Sequence, residues 1–181
     1  QADFSTANGA DELAKQIFSL HAVIFANGQA YSALLDDTSV EMMDSLWRVH
    51  VQNPMRLLAL VGNKLRQQER SHVVFISSIW GATGAAGEVL YSTVKGAQIS
   101  FVKAYAKEVA FNGIRVNAVA PGFIDTKMNQ QLNDEERAFI LEEIPLQSFG
   151  QTTHIAGTVS FLVNGQADYI TGQVLHVNGG W

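Results

Sequence analysis

The stretch Val73-Val74-Phe75-Ile76-Ser77-Ser78-Ile79-Trp80-Gly81, continued after a glycine-rich interval by Tyr91-Ser92-Thr93-Val94-Lys95-Gly96, decides how this chain folds. Val73 to Ile76 is a β-branched and aromatic run with the length of a buried strand, and the residues from Tyr91 to Phe111 have helical spacing. Working outward, the same kind of short apolar run recurs at Ala22 to Phe25, Val116 to Ala120 and Val174 to Val177, with longer helically spaced segments between them. Such alternation predicts βαβ units and a parallel sheet covered on both faces. The expected class is α/β, a doubly wound parallel sheet, with residues 1–181 in a single domain.

Helix boundaries carry their own chemical signals. Thr38-Ser39-Val40-Glu41 reads as a capping box, and Asn133 with Glu136 as another, so helices are expected from about Ser39 and about Asp134. Pro54 lacks a backbone donor and lies within the long helical pattern Val40 to Arg66, which predicts a break or kink near Gln52 to Pro54. Gly96, Ala97, Ser100, Ala104 and Ala106 make the helix after Tyr91 one that another backbone can approach closely.

In open parallel sheets, ligands bind beyond the carboxyl ends of the strands. Ala26-Asn27-Gly28, Ser77-Ser78, Pro121 to Thr126 and Asn178-Gly179-Gly180 follow the four apolar runs and define that rim. Tyr91 and Lys95, four apart, fall on one helix face. A phenol of pKa about 10 exchanges a proton near neutral pH only where a nearby cation favours its ionised form, and Lys95 is placed to supply one. Ser78, at a strand end, is placed to hold a carbonyl oxygen.

In order and spacing, Ser77-Ser78, Tyr91-Ser92-Thr93-Val94-Lys95, Arg115-Val116-Asn117-Ala118-Val119-Ala120-Pro121-Gly122-Phe123-Ile124-Asp125-Thr126 and the closing Tyr169-Ile170-Thr171-Gly172-Gln173 and Val177-Asn178-Gly179-Gly180 resemble the short-chain dehydrogenase/reductase family. The branch most similar contains 3-oxoacyl-(acyl carrier protein) reductases. The resemblance implies a Rossmann-like fold and reduction of a small carbonyl or acyl thioester, possibly carried on acyl carrier protein, with NADP(H) in preference to NAD(H). Tyr91 would then be the general acid, Ser78 the partner of the same oxygen, and Lys95 both a ribose ligand and the group that lowers the phenol pKa. Pro121, Gly122, Ile124 and Thr126 would flank the nicotinamide and pyrophosphate, Asp3 and Phe4 the adenine, and Ala26, Asn27 and Gly28 the cofactor between them. A homotetramer or homodimer is the assembly the resemblance implies, and the lack of a bilayer-length apolar run or a charged-then-apolar leader leads to the expectation of a soluble, cytoplasmic chain.

Two positions depart from the family's pattern. Where it carries a catalytic Asn that anchors a water in the proton relay, the alignment places Gln52, with Asn53 beside it. At its Asn-Asn-Ala-Gly site stands Phe25-Ala26-Asn27-Gly28. The Gly-rich turn that receives the pyrophosphate does not occur before the first apolar run, and Gly81 to Gly87 reads instead as an active-site loop. Two βα units, about 60 residues at roughly 30 each, are therefore expected upstream of Gln1.

Composition excludes other classes. A net charge of −5 gives no basic field for nucleic acid or anionic lipid, and no apolar run is long enough to cross a bilayer. There is no cysteine, and His21, His50, His72, His154 and His176 show no metal-ligand spacing, so they read as strand-end or surface residues and no metal site is expected. Arg66, Arg70 and Arg115 are candidates for a seat beside the pocket mouth for an acidic carrier protein, although Glu69 and Asn112 stand where the reductase branch carries arginines. The acidic run Asp134 to Glu143 reads as a solvated helix face. The competing reading is a non-catalytic relative that binds a dinucleotide or assembles with copies of itself.

Overall fold

The computed structural model describes residues 1–129 and 132–181. Strands β1 (Ala22–Phe25), β2 (Ser71–Ile76), β3 (Ile114–Pro121) and β4 (Val174–Val177) form one sheet, all pairs parallel, in the order β1-β2-β3-β4. All four apolar runs of the sequence are strands. Val73 lies opposite Val23 on one side and Val116 on the other, and Ala118 lies opposite Val174.

Alternate residues of each strand face opposite layers. Val73, Phe75, Val116 and Ala118 point into a core shared with helices α1 (Gly9–Ala14), α3 (Asn53–Arg66) and α5 (Val89–Val109). Val74 and Val119 point the other way, onto Leu162 of α7 (Thr152–Val163) and onto Ala167. Both faces are thereby covered, which is why Val73 to Ile76 of β2 form an unbroken apolar run rather than an alternating one. The short helix α4 (Trp80–Thr83) follows β2 and lies against α5, where a Cβ on Gly81 would come within 2.7 Å of the Lys95 backbone. Gly96 thus serves a close approach within the chain, whereas Ser100 and Ala104 are exposed.

Pro54 does not break its helix. Helix α2 (Val40–Trp47) continues through a π-helical turn at Arg48–Gln52 directly into α3, with helical dihedrals at both junctions. Pro54 sits in the first turn of α3, and the ladder changes register before it by the one-residue expansion that a π turn provides. Ser39, not Thr38, caps α2, accepting a hydrogen bond from the Met42 amide at 3.2 Å. Helix α6 (Asp134–Glu143) begins with the full capping box of Asn133 and Glu136 and has no buried residue, as expected of a solvated acidic face.

Candidate active site

The carboxyl ends of β1, β2 and β3 open onto a cavity of about 760 Å³. Ser78 reaches it because β2 is continued by two residues. The Ser77 amide donates to Val119 O at 2.8 Å, and its hydroxyl donates to Lys95 O at 3.0 Å, locking the end of β2 to α5. The Ser78 oxygen accepts the Trp80 amide at 3.2 Å, which leaves the hydroxyl hydrogen available to another acceptor. Tyr91 and Lys95 enter from the first turns of α5, with the Lys95 Nζ 5.5 Å from the centre of the Tyr91 ring. Lys95 is 4% exposed and donates to Ile76 O at 2.9 Å.

Burial lowers the Lys95 ammonium to about 8 and pushes the Tyr91 phenol up to about 12, with the Glu88 charge adding to the phenol's rise and the Ser78 hydroxyl opposing it. The lowering of the phenol expected from Lys95 is therefore not what sets its pKa, which desolvation dominates. At neutral pH the pair is phenol and ammonium, the protonated forms that a general acid and its supporting cation require.

The remaining rim residues converge on the same space. Pro121, Gly122, Ile124 and Thr126 line it from β3, and Ala26, Asn27 and Gly28 from β1. Gly122 is required by packing, since a Cβ there would lie 2.8 Å from the Asn178 Cα. Asp3 and Phe4 line an adjoining cavity of about 580 Å³ that shares Ala26, Asn27 and Gly28 with the first. The two cavities adjoin along the strand ends, the first mostly apolar and the second edged by Asp3. These residues fit a dinucleotide. The shifted Asn27 has its own task, donating to Val49 O at 2.8 Å and holding the π turn against the end of β1.

Gln52 does not join the site. It is exposed and lines no part of the cavity, while its neighbour Asn53 is buried and donates to Phe4 O at 2.9 Å and Thr6 O at 2.8 Å, pinning the Asp3 segment. His50 comes to the cavity instead. Read from sequence as a strand-end or surface residue, it is fully buried in the π turn, edge-on to Tyr91, and lines the cavity. Its Nε2 lies 3.1 Å from Gln29 O and 3.3 Å from Gln29 N, so either neutral tautomer finds a partner there. Nδ1 is buried without a hydrogen-bond partner among the described residues. Burial, then the Lys95 charge, lowers its pKa to about 4, so the imidazole is neutral at physiological pH. The clue available in the sequence was the registration of Val49-His50-Val51, two residues earlier than the position aligned.

The arginines proposed as a carrier seat lie elsewhere. Arg70 precedes β2 and Arg115 opens β3, at the amino ends of the strands, where Arg70 pairs with Asp168 and Arg115 donates to Asp168 O at 2.9 Å. Arg66 closes α3 at that same edge. In a parallel sheet all amino ends share one rim, and the cavity is at the opposite one.

A family model described as enoyl-(acyl carrier protein) reductase matches residues 2–181. The chain belongs to the short-chain dehydrogenase/reductase family. It is 43% identical over 182 residues to the uncharacterized oxidoreductase YmfI of Bacillus subtilis, covering 100% of this chain and 75% of that one. It is 39% identical over 149 residues to the 3-oxoacyl-(acyl-carrier-protein) reductase FabG of Salmonella typhimurium, covering 80% of this chain and 61% of that one. Among solved structures, 4-hydroxyisoleucine dehydrogenase complexed with NADH superposes with a TM-score of 0.95 at 26% identity, covering 100% of this chain and 77% of that one. A blue fluorescent protein from a metagenomic library in complex with NADPH has a TM-score of 0.92 at 24% identity, covering 99% and 74%, and shares the fold. Among the described residues no helix is long and apolar enough to cross a membrane.

Proposed function

We propose that this chain carries the catalytic centre of an NAD(P)-dependent carbonyl reductase, with NADP(H) as the preferred cofactor. The observation that carries the reading is the convergence of Ser78, Tyr91 and Lys95 on one cavity at the strand ends, with the phenol protonated and the ammonium buried beside it. The nicotinamide supplies the hydride when bound. Ser78 donates its free hydroxyl hydrogen to the substrate carbonyl oxygen and orients it toward Tyr91. Tyr91 transfers its phenolic proton to that oxygen, and the Lys95 ammonium stabilises the phenolate left behind. Lys95 keeps two donors beyond its bond to Ile76 O, and in this reading one serves a ribose hydroxyl of the cofactor and one serves His50, whose neutral Nδ1 is an acceptor when Nε2 carries the proton. Asp3 and Phe4 hold the adenine end.

The substrate we assign is a small ketone or a 3-oxoacyl thioester, the second supported by the reductase relatives at 38–39% identity. A carrier protein, if it delivers the thioester, docks at the strand-end rim and not on Arg66, Arg70 or Arg115. Assembly as a homotetramer or homodimer in the cytoplasm is part of the same proposal. It is supported by apolar residues left on the surface, Phe111 at 99% exposure among them.

Oxidation of NADPH by the full-length protein in the presence of an acetoacetyl thioester tests the reading. Turnover that is lost in Tyr91→Phe supports it. Turnover unchanged in that variant overturns the mechanism, and cofactor binding with no turnover of any ketone favours the non-catalytic relative.

A further inference from the structure

Beside the cofactor groove, a second cavity of about 450 Å³ shares Ser78, Tyr91 and Gly122 with it, so it is the side from which a carbonyl would reach the phenol. Its walls are aromatic: Tyr31, Trp80, Phe123 and Trp181, with the two indoles packed edge to face at 5.0 Å. Among the described residues a single charged one lines it, Glu88.

Glu88 has no structural task that accounts for its charge. It occupies the N-cap of α5, where Ser, Thr, Asp or Asn ordinarily satisfies the helix amides, yet its side chain makes no capping bond. Among the described residues its carboxylate has neither a hydrogen bond nor an ion pair, although it is half-buried and burial raises its pKa. The backbone around it is fixed, with Ala33 N donating to Gly87 O at 2.8 Å and Ser92 N donating to Glu88 O at 2.8 Å. Desolvating a carboxylate without a partner is costly, and the cost is recovered when a ligand brings a donor or a positive charge. Aromatic faces beside a carboxylate are the combination that holds an organic cation.

We propose that Glu88 selects the substrate, and that the preferred ketone carries a protonated amine seated between Glu88 and the Trp80, Tyr31 and Trp181 rings while its carbonyl lies against Ser78 and Tyr91. Glu88 and Tyr91 are three apart at the start of α5 and line the same cavity, so one short substrate can meet both, and an amine two carbons from the carbonyl is the first to try. The proposal rests on the carbonyl-reductase reading and narrows its substrate to an amino ketone.

Three phenyl ketones test it with the full-length protein. One carries a dimethylammonium group two carbons from the carbonyl, the second replaces that nitrogen by carbon, and the third ends in a carboxylate at the same distance. The amine is expected to exceed its carbon analogue in kcat/KM by about tenfold or more, with the carboxylate poorest, and Glu88→Gln to bring the first ratio close to one. Quenching of tryptophan fluorescence by the amino ketone gives a second readout that needs no turnover. Quenching that saturates at low concentration in the parent and weakens about tenfold in Glu88→Gln supports the proposal. Equal kcat/KM for the amine and its carbon analogue, or binding indifferent to Glu88→Gln, overturns it. Failure to reduce all three ketones and the thioester refutes the reductase reading instead, and the fluorescence titration then still decides the role of Glu88.

Discussion

The His50 imidazole stands perpendicular to the Tyr91 ring with 6.0 Å between centroids, and both line the cavity that Lys95 enters. A neutral, fully buried ring is thus in the wall of a proton-transfer site, with one nitrogen satisfied by Gln29 and the other unpartnered among the described residues. A buried acceptor left unmade costs about 1–3 kcal/mol, so Nδ1 belongs to the working hydrogen-bond network of the site. The Lys95 ammonium, whose charge helps to lower the imidazole pKa, has donors to spare.

From this follows a prediction for the proton path. His50→Leu is expected to reduce kcat about tenfold with the KM for cofactor little changed, and to move the alkaline limb of the pH–rate profile to lower pH. Without an acceptor the Lys95 ammonium is less stabilised and loses its proton earlier. His50→Asn, which offers an amide oxygen at similar reach, is expected to restore most of both quantities. Gln52→Ala, being at an exposed position, should leave them unchanged. A pH profile identical in parent and His50→Leu would show that the imidazole is only packing.

How far the sequence determined this picture differs from element to element. The strands were legible because β2 and β3, buried on both faces, carry largely apolar runs at Val73 to Ile76 and Val116 to Ala120, and because glycine and polar residues punctuate their ends. Ser78, Tyr91 and Lys95 were legible because their geometry is local: one strand end and one helical turn. His50 was not, since its place depends on a π turn, and one added residue in a helical ladder rotates every following side chain by about 100°. Glu88 drew no attention in the sequence, because only the fold brings it to one cavity with Tyr31, Trp80 and Trp181.

Two glycines separate local from global effects. In Gly28→Ala the new Cβ would sit 2.7 Å from the His50 Cε1, a side-chain atom, whereas in Gly122→Ala it would sit 2.8 Å from the Asn178 Cα, a backbone atom. A ring can turn aside where two strand ends cannot. Gly28→Ala is therefore expected to lower activity while the urea midpoint moves little. Gly122→Ala should destabilise by about 1–3 kcal/mol, as overpacked sites do. Reversal of that order in denaturant titrations would mean that His50 is the more rigid neighbour.

Acid stability reads the burial of His50 independently of catalysis. Its folded pKa is about 4 against an ordinary value of 6.5, so between those values the unfolded chain binds a proton that the folded chain does not. Stability contributed by this group is complete above about pH 6.5 and is lost as pH falls toward 4. At 1.36 kcal/mol per unit the full loss is about 3 kcal/mol. His72, also lowered by burial, adds a change of the same sign in the same region. His50→Asn removes the larger part, so the urea-derived stability of that variant should fall less steeply between pH 6.5 and 4.5 than that of the parent. Parallel curves would mean that the imidazole is hydrated and protonated in the folded protein, and the neutral acceptor assigned to the site would then be lost with it.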